Sequence, residues 1–146
     1  MNRDYQTLQQ LDRALKIFRR SGVYDRIPTK LSDADIMVLF CVAFCDINQK
    51  VKLTDVAKTL KVTLPAVTHK VNDLVRKKYI EKVQSEKDLR VIYIKLTERG
   101  RDYVEAIRED YYRPIEQLAL HLGEEDTQHF LKILDKIGEI GKIKSQ

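Results

Sequence analysis

Glycine is scarce in this chain, 5 in 146 residues. None lies in a Gly-rich phosphate loop or a nucleophile elbow. With no other cofactor motif present, the expectation is a protein that is not an enzyme and holds no cofactor. Cysteine is scarcer still, only Cys41 and Cys45. On one helix their Cβ atoms would stand roughly 5–6 Å apart, whereas a disulfide wants about 3.8 Å. Zinc would need two further ligands, and His69, His121 and His129 show no paired spacing. No metal is expected, and buried structural cysteine is the plain reading. No uncharged apolar run approaches about 18 residues, so no membrane-spanning helix is expected. Met1-Asn2-Arg3-Asp4-Tyr5 lacks the basic-then-apolar pattern of a signal peptide. The expectation is a cytoplasmic protein with reduced thiols.

Charge is present, and unevenly so. Residues 51–100 hold 12 Lys/Arg against 6 Asp/Glu, whereas the remainder holds 15 against 16. The whole positive excess therefore sits in the middle third. A localised basic segment is the footprint of a polyanion partner, although a solvated basic surface gives the same count.

Apolar spacing then orders the elements. Leu8, Leu11, Leu15 and Phe18 make one stripe of an N-terminal helix, ended by Ser21-Gly22. Ser32 suits the N-cap of a second helix from Asp33 to about Asp46. Ile36, Leu39, Phe40, Ala43, Phe44 and Ile47 form one face of it, and Met37, Val38, Cys41, Val42 and Cys45 cover much of the rest. A helix with no polar side is sandwiched, and its Met37, Cys41, Cys45 flank is expected to meet the first and fifth helices. Leu53, Val56, Ala57 and Leu60 mark a short third helix. After Lys61-Val62-Thr63, a fourth carries Leu64, Val67, Val71, Leu74, Val75 and Lys78 on its inner side. Ile80 to Gln84 and Val91 to Leu96 alternate as strands of a hairpin, with Ile92, Ile94 and Leu96 inward. Thr97 caps a long helix expected to kink or break near Pro114. A last helix starts at Gly123-Glu124-Glu125 with a stripe of Phe130, Leu131, Leu134 and Ile137.

The fourth helix carries the chemistry. At about 100° per residue, Pro65, Ala66, His69, Asn72, Asp73 and Arg76 lie opposite the buried stripe. The N-terminal half of that face, with Thr63, Pro65, Ala66 and Thr68, is small and nearly uncharged. It admits close approach to base edges, and Ala or the Thr methyl suits a thymine methyl. His69 and Asn72 add donors and acceptors. Arg76, Lys77 and Lys78 fall where a docked helix meets the backbone. In the hairpin, Lys82, Lys87, Arg90 and Lys95 are basic. Asp88, two residues before Arg90, lies on the same side of an extended strand and suits an arginine held in one orientation. An oriented arginine fits a minor groove. The plainer readings are a helix-capping Thr63, an exposed His69 with no task, and a surface ion pair of little consequence. The candidate DNA-contacting set is Thr63, Pro65, Ala66, Thr68, His69, Lys70, Asn72 and Arg76 with Lys87, Asp88 and Arg90.

Val62-Thr63-Leu64-Pro65-Ala66-Val67-Thr68, Leu74 through Ile80, Asp88-Leu89-Arg90 and Leu96-Thr97-Glu98-Arg99-Gly100 together resemble the multiple-antibiotic-resistance regulator (MarR) family. The motifs cover about residues 53–100, and the helix order fits along the whole chain. The resemblance implies a homodimer on a pseudo-palindromic operator, joined through its terminal helices. It also implies an effector pocket near the second and fifth helices, and in some relatives an oxidant-sensing cysteine. Two positions depart from the family pattern: many members have Gly where Lys78 stands, and commonly a basic residue where Leu89 stands.

The expected fold is mostly α with a small antiparallel β-hairpin. A winged helix-turn-helix spans 33–100, and the helices of 1–20 and 101–146 serve dimerisation through Leu8, Leu11, Leu15, Phe130, Leu134 and Ile137. The expected partners are double-stranded DNA, a second copy of the chain, and a small-molecule effector near Met37, Cys41 and Cys45. The expected function is a sequence-specific DNA-binding regulator acting as a repressor. The competing class is a winged helix that docks on another protein without reading DNA.

Overall fold

Ser32 begins the second helix by accepting the Asp35 N–H at 3.2 Å, and Thr63 begins the fourth by accepting that of Ala66 at 3.3 Å. Side-chain oxygens at these positions satisfy donors that a helix start leaves open. A computed structural model describes residues 4–25, 27–44 and 50–144, with side chains to residue 141. Its elements are α1 Tyr5–Arg20, α2 Asp33–Phe44, β1 Val51–Lys52, α3 Leu53–Leu60, α4 Leu64–Arg76, β2 Ile80–Gln84, β3 Ile92–Leu96 and α5 Glu98–Lys144. They form two compact units. One spans Pro28–Glu109, and the other joins the segment up to Ile27 to that from Asp110 onward.

The core of the first unit is built on α2. Ile36, Leu39 and Val42 are buried there beside Val56 of α3, Val67, Val71 and Leu74 of α4, Ile80 of β2 and Ile94 of β3. Each such side chain contributes about 2 kcal/mol by leaving water. This explains why α2 is apolar nearly all round. The sheet has three strands in the order β1-β3-β2. The hairpin is joined by a short antiparallel strand, with Val51 opposite Ile94 and Lys52 opposite Tyr93. In β3, Ile94 and Leu96 are buried, but Ile92, near the hairpin tip, is exposed. The core ends before the hairpin does, so the expected inward alternation stops short.

Both helices of the helix-turn-helix end the same way. Lys61 (φ 54°) and Lys78 (φ 65°) are left-handed. The N–H groups of Val62 and Tyr79 reach back to the carbonyls of Ala57 and Leu74. This cap closes the last turn and usually employs glycine. Lys78 therefore stands where glycine is sterically preferred.

The segment Leu96-Thr97-Glu98-Arg99-Gly100 fastens the end of α4 to the start of α5. The Thr97 hydroxyl donates to the Lys78 carbonyl at 2.6 Å and accepts the Gly100 N–H at 3.1 Å. The Thr97 N–H donates to the Tyr79 carbonyl at 3.1 Å.

In the second unit α1 has no buried residue. Within α5 the backbone stays helical through Pro114, and the interruption falls at Gly123, with φ 80° and ψ 171°. The expected break at proline is thus corrected. That Gly123 conformation is almost closed to other residues, so glycine sets the break. Thr127 donates to the Gly123 carbonyl at 2.6 Å and steadies the restart. Among the described residues no helix is long and apolar enough to cross a membrane, and none group as three or more candidate metal ligands.

Candidate nucleic-acid interface

The turn Lys61-Val62-Thr63 and the first turn of α4 form an exposed surface: Thr63, Leu64, Pro65, Ala66 and His69 are all open to solvent. Val67, Val71 and Leu74 are buried on the other side. The Thr68 hydroxyl donates to the Leu64 carbonyl at 2.8 Å, which leaves its methyl for apolar contact. Thr63, Pro65, Ala66, Thr68 and His69 are thus brought together on one end of α4.

The other expected residues of α4 are more engaged. Asn72 accepts a hydrogen bond from Lys82 of β2, tying the helix to the hairpin. Lys70 turns toward α2, where its ammonium lies 3.5 Å from Asp35. Asp35 is only 4% exposed, and its Oδ1 has no hydrogen-bond partner among the described residues, so Lys70 supplies the charge that makes its burial tolerable. Arg76 and Lys77 both pair with Asp73, at 3.2 and 3.0 Å. The Lys77 and Arg76 side chains hold the Asp73 carboxyl below the usual carboxylate range. The same pairing, chiefly the Asp73 hydrogen bond, raises the Lys77 ammonium above its ordinary value.

The loop between β2 and β3 is closed by its own hydrogen bonds. Ser85 Oγ accepts the N–H groups of Lys87 and Asp88, each at 3.3 Å. The Val91 N–H donates to the Asp88 carbonyl at 3.0 Å. Asp88 in turn takes three bonds from Arg90: the backbone N–H at 3.0 Å, Nε at 3.2 Å and Nη2 at 3.4 Å. Arg90 lowers the Asp88 carboxyl pKa through these bonds, the side-chain ones first. The guanidinium is fixed at one edge, yet its side chain is 92% exposed. Lys95 pairs with Glu81 directly across the strands at 3.1 Å. Lys87 carries no ion pair among the described residues. Leu89, at the tip, is 70% exposed.

Met37 and Cys41 part company. Met37 borders a cavity of about 290 Å³ with Leu60, Val62, Ala66, His69 and Lys70. Cys41 is buried beside a second, about 360 Å³, lined by Val51, Asp55, Val56 and Thr59. Within their unit, Met37 lies beside residues of α3 and α4 and Cys41 beside residues of β1 and α3, neighbours that the pattern did not suggest. In a helix apolar on every side, sequence does not tell which neighbour meets which flank. Cys45 lies outside the described residues.

The residues that sequence reasoning left unassigned are Asp35 as an ion-pair partner and Asp73 as a holder of two cations. Asp73 stood three and four residues before Arg76 and Lys77, the spacing at which helix side chains meet.

This arrangement, two short helices at a tight turn followed by a basic hairpin, is the winged helix-turn-helix. Residues 27–107 match the family described as transcriptional regulator SarA/Rot, and the chain belongs to that family. That family is one of transcriptional regulators. The chain is 28% identical over 87 residues to the uncharacterised HTH-type transcriptional regulator YwhA of Bacillus subtilis, a match covering 60% of this chain and 63% of that relative. The chain thus spans less than two thirds of the length of the curated relative it matches.

Its fold is shared with a cysteine-to-serine MarR variant from E. coli complexed with operator DNA. There the TM-score is 0.66 at 20% identity, over 93% of this chain and 99% of that one. A MepR-like protein complexed with pseudoligands gives 0.67 at 20%, over 92% and 94%. BldR from Sulfolobus solfataricus gives 0.61 at 22%, over 95% and 99%.

Proposed function

We propose that this chain is a homodimeric repressor that reads a pseudo-palindromic duplex, the exposed N-terminal end of α4 in the major groove and Arg90 in the adjacent minor groove. The observation that carries this reading is the pairing of two unlike surfaces on one compact unit. One is small and nearly uncharged, from Thr63 to Thr68, and the other presents an arginine already oriented by Asp88. The first suits base edges and the second suits the strong negative potential of a narrow groove. The operator complex of the E. coli MarR variant supports duplex DNA as the partner. The unit of residues 28–109 serves DNA reading, and the helices outside it serve dimerisation. The protein works in the cytoplasm without catalysis.

A small apolar effector fits the cavity beside Met37, which adjoins Ala66 and His69 of the reading helix. Met37→Trp should fill it and abolish effector-induced thermal stabilisation. Stabilisation that survives the substitution would place the effector elsewhere. The function as a whole is tested by selecting bound sequences from random duplexes with the pure protein. A two-fold-related pair of half-sites is the expected product, and a pool with no enriched sequence would contradict sequence reading.

A further inference from the structure

The middle third of this chain carries a charge excess that would hold any duplex, whatever its sequence. The structure shows α4 moderating that excess from within. Lys70 is occupied by Asp35 at 3.5 Å, while Arg76 and Lys77 are both occupied by Asp73, at 3.2 and 3.0 Å. Asp73 sits one turn beyond His69, at the junction between the base-facing end of the helix and its cationic end. Its side chain is 30% exposed, so it is open to a docking duplex.

We propose that Asp73 is a specificity-determining residue, an internal carboxylate that occupies Arg76 and Lys77 until correctly placed duplex phosphates displace it. The proposal rests on the DNA-reading function above. A carboxylate and a phosphate offer oxygens to the same N–H donors. A cation already neutralised adds little to sequence-independent attraction. It is released only where a phosphate comes within hydrogen-bond reach, which requires the helix to be seated at full depth. A duplex that α4 does not fit keeps its phosphates too far away, and the pairs stay closed. The mutual displacement of the two titrations, Asp73 downward and Lys77 upward, agrees with a pair that is formed in the free protein.

A plainer role competes with this one. Acid-to-base pairs at three and four residues also stabilise a helix modestly, and removing any acid near a polyanion strengthens binding.

The roles separate in one set of titrations on the full chain. Wild type, Asp73→Asn, Asp73→Ser and the control Asp55→Asn are measured against the tightest selected duplex and a scrambled one. Asp55 lies on α3 of the same unit and forms no ion pair among the described residues. Asp73→Asn should raise affinity for scrambled duplex roughly 2- to 5-fold, and for the selected duplex less, so that preference falls. Asp73→Ser should do the same, and thermal midpoints confirm that both fold. Asp55→Asn should shift both duplexes slightly and equally. In an Arg76→Ala, Lys77→Ala background, the effect of Asp73→Asn should shrink to that of the control. An equal gain on both duplexes, or a gain that persists without Arg76 and Lys77, would overturn the proposal. Wild type that fails to prefer its selected duplex overturns the DNA-reading function itself, before any variant is compared.

Discussion

The carbonyl oxygen of Tyr79 lies 2.1 Å from the point that a Cβ on Gly100 would occupy. The same oxygen accepts the Thr97 N–H, so it has no freedom to retreat. A methyl group at residue 100 would force apart the exit of α4 and the entry of α5. Gly100→Ala should therefore destabilise the protein by roughly 3 kcal/mol, read as a lower denaturant midpoint with an unchanged slope. A loss below about 0.5 kcal/mol would show that this junction yields easily.

Lys78 gives the opposite expectation. Its left-handed backbone (φ 65°) costs a side-chain-bearing residue about 1 kcal/mol, and glycine escapes that penalty while losing some chain entropy on folding. Lys78→Gly should raise stability by roughly 0.5 kcal/mol, measured by thermal or denaturant unfolding. Destabilisation would mean that the lysine side chain contributes more than the strain removes.

Much of this architecture was legible from periodicity and caps. The caps at Ser32, Thr63 and Thr97, the Val67, Val71 and Leu74 stripe of α4 and the hairpin all follow local rules. Leu64 and Lys78, expected on the inner side, are instead exposed, because they stand at the start of the helix and just past its end. What escaped was non-local or too short. Val51–Lys52 is a two-residue strand, and no period can be read from two residues. Pro114 looked like a helix breaker and is not one, while Gly123, read as the start of the last helix, does interrupt the backbone. For the site, the exposed N-terminal end of α4 and the Asp88–Arg90 pairing were both visible. Lys70 was grouped with the DNA-facing residues because nothing local reveals Asp35, 35 positions earlier and on another helix. Asn72 was likewise read as free for a base, and its bond to Lys82 depends on how the hairpin folds back.

The second unit leaves apolar side chains in water. Leu11 of α1 and Ile137 of α5 are 55% and 54% exposed, and Leu8, Leu15 and Leu134 are similar. Such a surface is a liability for a lone chain. Sedimentation at micromolar concentration should give twice the 17.1 kDa chain mass. Leu11→Glu with Leu134→Glu should yield a folded monomer with at least about tenfold weaker binding to a two-half-site duplex. A wild-type monomer under those conditions contradicts the dimer.

The ion pairs of α4 set a pH dependence. Asp73 titrates below its ordinary range in the folded chain. Its contribution is therefore present above the unfolded value and lost as pH falls through the folded one. Lys77 titrates above its ordinary value, so its share is present at neutral pH and disappears only as pH rises past about 10.5. The thermal midpoint of Asp73→Asn should lie slightly below wild type from about pH 6 to 9 and converge with it only as pH falls below the ordinary carboxylate range. A difference that grows on acidification would contradict the pairing.

The central claim is that duplex DNA is read through an arginine positioned before binding, and not through net positive charge. Asp88→Ala tests it most directly, in a titration of the selected duplex at fixed salt beside wild type and Arg90→Lys. Asp88 holds Arg90 by three hydrogen bonds, so less side-chain freedom is lost when DNA arrives. A lysine keeps the charge but not the planar fork. The account predicts that Asp88→Ala and Arg90→Lys both bind more weakly than wild type, by roughly 3- to 30-fold. Removing an acid beside a polyanion should by charge alone tighten binding. Asp88→Ala binding as tightly as wild type or more tightly would contradict the account and leave the hairpin as no more than a cationic patch.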